Sequence, residues 1–111
     1  MGITPLYKGN APLMHFKLTT DSSGIAPVAP ALASDSSGSF VKIYDAFGER
    51  NGAGTFLNWN PAAGTTDYLS SPFDTANVGV STWWFRTTLV GETAPRDFDP
   101  QKVLIEDITQ A

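Results

Sequence analysis

Trp83 and Trp84 stand side by side in the run Ser81-Thr82-Trp83-Trp84-Phe85-Arg86-Thr87-Thr88-Leu89-Val90. Its β-branched and aromatic residues favour a strand. Neighbouring side chains in a strand point to opposite faces. Trp83, Phe85, Thr87 and Leu89 therefore share one face, and Trp84, Arg86, Thr88 and Val90 share the other. Only one of these faces can meet a single core. A buried indole removes roughly 150–250 Å² from water, a gross gain of roughly 4–6 kcal/mol. Trp83, with Phe85 and Leu89 beside it, is expected to anchor the core. Trp84 then needs another packed layer, a covering loop or a partner.

The rest of the chain reads as more short strands. Met14, Phe16 and Leu18 alternate with His15 and Lys17 across Leu13 to Thr19, the pattern of a half-buried antiparallel strand. Phe40 to Ala46 is a second, with Val41 and Ile43 on one face and Phe40, Lys42 and Tyr44 on the other. Thr55 to Asn60 is a third, with Thr55, Leu57 and Trp59 expected on one side. Asp67 to Phe73 is expected to be a strand ended by Pro72, and Asp74 to Gly79 a corner or single helical turn. Lys102 to Thr109 closes the chain. Between them, Gly48 to Gly54 reads as a turn and Gly91 to Pro100 as a long polar hairpin loop. Ile25 to Ala33 carries Pro27 and Pro30 and fits an extended edge segment or loop. Met1 to Pro12 reads as an extended arm.

At 111 residues the chain makes one domain with a real core. Charged residues are only 16%, below the usual ~25%, and Gly, Pro, Ser and Thr fill the gap, which is an all-β composition. The expected fold is an all-β, antiparallel immunoglobulin-like β-sandwich of about seven strands, with residues 1–12 as an N-terminal arm and 13–111 as the sandwich. The net charge of −4 argues against a nucleic-acid partner, and the seven basic residues do not cluster. The absence of cysteine excludes disulfides, thiolate metal sites and cysteine nucleophiles. No apolar run reaches membrane-span length, no N-x-Ser/Thr sequon occurs, and Met1 to Ala11 lacks a basic-then-apolar leader pattern. The expectation is a protein made and used without secretory export or a membrane.

Catalytic chemistry finds little support. His15 is the only histidine, sits on a polar strand face and has no Ser or Asp at triad spacing; no Gly-x-Ser-x-Gly elbow is present. Asp97-Phe98-Asp99 offers two carboxylates but lacks the further ligands of a calcium loop. Gly52-Ala53-Gly54 lacks the third glycine and the following helix of a phosphate loop and reads as turn chemistry. The expectation is a non-enzyme without cofactor or metal. An outward Trp84 beside Arg86 is instead the residue pair most enriched at protein interfaces. Trp84 or Trp59 would alternatively serve as a sugar-stacking platform.

Tyr7-Lys8-Gly9-Asn10-Ala11-Pro12-Leu13-Met14-His15-Phe16-Lys17-Leu18, followed by the Asp21-Ser22-Ser23-Gly24 turn, resembles the opening of small phage Ig-like proteins, in the family of the N-terminal domain of the phage baseplate upper protein. Asp74-Thr75-Ala76-Asn77-Val78-Gly79 before an aromatic strand is similar to that family's Asp-x-Ala-x-x-Gly-x-Tyr corner, with Trp83 and Trp84 slightly late in place of a Tyr and an apolar residue. Arg96-Asp97-Phe98-Asp99-Pro100 and the closing strand complete the resemblance, which covers the first quarter and last third of the chain. Ile25 to Tyr68 departs from it. The resemblance implies a non-enzymatic virion component, assembled in the host cytoplasm and bound to tail or baseplate or decorating the capsid. Its partners would be other virion proteins, in multiple copies or as a homo-oligomer. Trp84, Arg86 and Thr88 on the strand, and Tyr7 and Lys8 on the arm, are the expected contact residues.

Overall fold

The computed structural model describes residues 4–25 and 32–107. Among them are eight strands and one 3-10 turn, and no α-helix. The strands are β1 (Thr4–Tyr7), β2 (Leu13–Lys17), β3 (Phe40–Asp45), β4 (Gly48–Asn51), β5 (Thr55–Asn60), β6 (Thr65–Leu69), β7 (Gly79–Thr87) and β8 (Arg96–Glu106). They form a five-stranded sheet ordered β1-β8-β7-β3-β4 and a three-stranded sheet ordered β2-β6-β5. All pairings are antiparallel except β1 with β8, which is parallel.

The core lies between the sheets. The larger sheet supplies Val41, Ile43, Trp83, Phe85, Phe98, Val103 and Ile105, and the smaller supplies Phe16 and Tyr68, all buried. Met14, Leu18, Phe56 and Trp59 close in around them. Phe85 sits at the centre, with ring centroids of Phe16, Phe56 and Trp59 at 6.0, 5.6 and 5.9 Å. Trp83 meets Tyr68 edge-on at 6.4 Å, and its indole N–H donates to Ser81 Oγ at 2.9 Å. These tilted and edge-on contacts are the arrangements that ring quadrupoles favour.

Several sequence boundaries shift, each for a physical reason. Residues Gly48 to Gly54, expected to be only a turn, contain β4, paired with β3 through a tight turn at Ala46-Phe47. As an edge strand β4 buries no apolar side chain, so it shows no hydrophobic alternation to read. Gly91 to Pro100 is not all loop: β8 starts at Arg96, because Phe98 reaches the core while Arg96 and Asp97 find ionic partners. The strand expected over Asp67 to Phe73 is Thr65–Leu69, and the helical turn falls at Pro72–Thr75. In β5 the alternation breaks. Asn58 adopts φ 53° at a bulge, so Trp59 turns to the core with Phe56 while Leu57 faces out at 40% exposure. The stretch read as an arm carries β1, which pairs with β8. Most of Ile25 to Ala33 lies outside the described residues, as does Ile108 onward; Leu32 is buried in the core.

A polar hub closes the end of the sandwich near the 3-10 turn. Asp74 is fully buried. Its carboxylate accepts from the Tyr68 hydroxyl at 2.6 Å, Ala53 N at 2.7 Å and Ser71 N at 3.2 Å. Burial and this carboxylate push the Tyr68 phenol well above its usual pKa, which keeps its donated proton in place. Gly54 N donates back to the Tyr68 oxygen at 2.8 Å. A Cβ on Gly54 would stand 2.2 Å from Leu69 O, so Gly52-Ala53-Gly54 serves close backbone passage over Tyr68.

Candidate functional site

The alternation of β7 puts Trp84 on the outer face of the five-stranded sheet, opposite the core, and leaves it partly exposed. Its cross-strand partner on β3 is Lys42. Phe40 and Tyr44, at the same parity of β3, flank it and are also partly exposed. On the other side the β7–β8 register slips between Trp83↔Gln101 and Phe85↔Phe98. Trp84 therefore stands opposite a bulge at Asp99-Pro100, where Asp99 takes φ 53°.

The charges around Trp84 are paired in the plane of the sheet. Lys42 is buried, and its Nζ reaches sideways to Glu49 at 2.9 Å and Asn51 Oδ1 at 3.0 Å on β4. It also stands 5.7 Å from the Phe40 ring centroid. The Lys42 ammonium holds the Glu49 carboxyl below the usual carboxylate range. Arg86 grips Asp97 with two bonds, Nε to Oδ1 at 2.6 Å and Nη2 to Oδ2 at 2.9 Å. The same carboxylate raises the Arg86 pKa. Lys102 Nζ donates to Thr82 Oγ1 at 3.1 Å. The result is an aromatic centre, Trp84 with Phe40 and Tyr44 about the paired Lys42, inside a rim of alternating charge.

The five expected contact residues fall in two places. Trp84 and Arg86 are adjacent on one face, with Thr88 just beyond the end of β7 and partly exposed. Arg86 is committed to Asp97, so it orders the rim rather than offering a free guanidinium. Tyr7 is 43% exposed on the same side of the sheet, paired with Glu106. Lys8 follows in a turn whose amide bonds Glu106 O at 2.8 Å. By register Tyr7 lies six residues along and two strands across from Trp84, roughly 22 Å away, with Lys8 one residue farther. Phe40, Lys42, Tyr44, Glu49 and Asp97 complete the face and were not among the contact residues expected from the sequence. The alternation of Val41 and Ile43 already required Phe40, Lys42 and Tyr44 to point outward. Only the pairing of β3 with β7 places them beside Trp84.

The other polar cluster lies on the smaller sheet. His15 Nδ1 bonds the Asp67 carboxylate, whose second oxygen accepts from Asn58 Nδ2 at 2.8 Å. Asn58 first and His15 second hold Asp67 below its usual pKa. A shallow depression of about 420 Å³ beside them is lined by Lys17, Thr65, Thr66 and Asp99. It holds a histidine–carboxylate pair without a serine, and the His15 side chain is 74% exposed. Asp97 and Asp99, the two carboxylates weighed for calcium, part ways: one binds Arg86, the other accepts from Lys17 N at 3.0 Å. Among the described residues no group of three or more His, Cys, Asp or Glu is placed to hold a metal ion. Trp59 donates to Ala33 O at 2.7 Å and packs on Phe56 and Phe85, partly buried at the margin of the core.

The sequence matches no protein-family model and no curated protein.

Proposed function

We propose that this chain is an immunoglobulin-like binding module that acts by protein–protein contact through the outer face of its larger sheet. The strand order supports the fold reading. Taking β2 to β8 as strands B, C, C′, D, E, F and G gives B-E-D on one sheet and G-F-C-C′ on the other. The first strand joins the second sheet beside the last. The placement of Trp84 carries the functional reading: an indole at the centre of a sheet face, ringed by Phe40, Tyr44 and paired charges, is the composition of an interface core with a polar rim.

The resemblance of Tyr7 to Leu18 and Asp74 to Gly79 to the baseplate family makes the setting a phage virion, with the module held on tail, baseplate or capsid by other virion proteins. Co-sedimentation of the purified protein with virion particles lacking it tests this. Trp84→Ala should abolish co-sedimentation and leave the melting transition nearly unchanged. Equal co-sedimentation of the variant and the parent would remove the face from the interface. Retardation of the parent, but not of Trp84→Ala, on polysaccharide gels would instead favour glycan binding.

A further inference from the structure

We propose that the partner on the outer face of the five-stranded sheet is a second copy of this chain, packed face to face about a two-fold axis that crosses the strands at Trp84. The proposal rests on the binding role of that face and names its occupant.

Area separates the two outer faces. With strands about 4.8 Å apart and residues about 3.3 Å along them, the five-stranded sheet projects to roughly 540 Å² and the three-stranded sheet to roughly 250 Å². Accessible area exceeds projection because side chains stand off the sheet. The larger face thus approaches the ~800 Å² per partner of a stable interface, and the smaller falls well short.

The register supplies the complementarity. Along β7, Thr82 is level with Tyr44 on β3 and Lys102 on β8; Trp84 is level with Lys42; Arg86 is level with Phe40 and Asp97. A two-fold axis running across the sheet at the level of Trp84 exchanges the Thr82 and Arg86 levels and keeps each strand over its own counterpart. Trp84 then meets Trp84 on the axis. Tyr44 lies over the partner subunit's Phe40, and Phe40 over the partner subunit's Tyr44. Lys102 lies over the partner subunit's Asp97, twice by symmetry. Each of these contacts is apolar on apolar or positive on negative. A two-fold axis along β7 instead sets Phe40 against Asp97 and Tyr44 against Lys102, and loses both kinds of match. Lys42, the one charge of this outer face at the central level, lies over its own copy at the axis, and each ammonium is neutralised by Glu49 and bonded to Asn51 on β4. An isologous contact of this kind closes on itself.

Sedimentation equilibrium on the purified full chain over a concentration series tests the proposal. A dimer with a dissociation constant in the micromolar range is expected. Trp84→Ala should raise that constant about thirtyfold or more. Lys102→Glu, a change at an exposed side chain, should raise it about tenfold and reverse its salt dependence, because salt then screens a Glu–Asp repulsion. Lys102→Glu keeps the test decisive if Trp84→Ala fails to fold. The chain has no cysteine, so Tyr44→Cys and Phe40→Cys each carry a single thiol. A bis-maleimide spanning about 10 Å, the spacing of packed sheets, should link the two variants when they are mixed and neither when alone. A monomer at every concentration overturns the proposal, as does a dimer unaffected by both substitutions or equal cross-linking of each variant with itself. If the parent is monomeric while Trp84→Ala still loses co-sedimentation with virions, the binding face stands and its occupant is a different protein.

Discussion

Trp83 and Trp84 are chemically identical neighbours with opposite fates, and that difference is measurable. Trp83 is fully buried against Tyr68, with its N–H satisfied by Ser81. Trp83→Ala should cost about 3–5 kcal/mol of stability, because the core cannot collapse into a void of that size. Trp84→Ala removes a partly exposed ring from a sheet surface and should cost less, about 1 kcal/mol. Chemical denaturation of the two variants checks this, and equal losses would mean that Trp84 is a core residue. The glycine beside Tyr68 gives a second residue-scale prediction. A methyl at Gly54 would drive into the Leu69 carbonyl, a backbone atom that cannot rotate away. Gly54→Ala should lower stability by about 3 kcal/mol, read from the same denaturation curves. Alanine at Gly91, where φ is 84° and a Cβ meets nothing within 4 Å, should cost only about 1 kcal/mol of backbone strain.

At the scale of elements, β8 carries the least regular geometry and holds the two sheets together. Its bulge at Asp99 lets Phe98 on one side and Val103 and Ile105 on the other all reach the core. The bulged residue also bonds across to the smaller sheet: Asp99 N donates to Thr19 Oγ1 at 3.0 Å, and Asp99 Oδ2 accepts from Lys17 N. Gln101 Nε2 adds a bond to His15 O. Deleting Pro100 would remove the bulge and leave Phe98, Gln101 and Val103 on one face by simple alternation. The fold should survive with lower stability, because Asp99 loses the geometry of its bonds to Lys17 and Thr19; preserved amide dispersion in a proton–nitrogen NMR spectrum with a lower denaturation midpoint is expected. Collapse of the dispersion would show that the bulge is required for the fold itself. These features also explain what the sequence could reveal. Strands β2, β3 and β7 were legible because one face of each is apolar at strict period two. Strand β4 was not, having no buried apolar face. The start of β8 was hidden because Arg96 and Asp97 are satisfied by Asp21 and Arg86, partners distant in sequence or on another strand. The Trp84 side of β7 was legible as an outward indole. Its aromatic neighbours Phe40 and Tyr44 awaited the β3–β7 pairing, which no local pattern encodes.

Taken as a whole, the molecule is clasped by carboxylates that join separate segments, and this ties its stability to pH. Asp21 accepts from Ile25 N at 2.9 Å and from Arg96 Nε at 2.7 Å, fixing the chain after β2 to the start of β8. Asp45 accepts from Arg50 and from Asn77 Nδ2, joining the β3–β4 hairpin to the corner before β7. The Ile25 amide first, and Arg96 and the Ser23 amide with it, hold Asp21 below its usual pKa against the opposing effect of burial. Burial works to raise Asp45, and Asn77, Arg50 and the Phe47 amide outweigh it. Glu49 and Asp67 are lowered as well. Each carboxyl thus binds its proton more weakly folded than unfolded. Where the unfolded chain takes up more protons, stability falls as pH falls. The contribution is complete above the ordinary carboxylate values of 3.8 and 4.5 and is lost progressively as pH drops below them. The thermal midpoint should therefore hold between pH 7 and pH 5 and decline steeply from pH 4.5 to pH 2.5. Asp21→Asn should start lower at pH 7, having lost its charge partner Arg96, and decline less on acidification. A midpoint that stays level to pH 2.5, or an Asp21→Asn curve parallel to the parent's, would show that these clasps do not govern the acid limb.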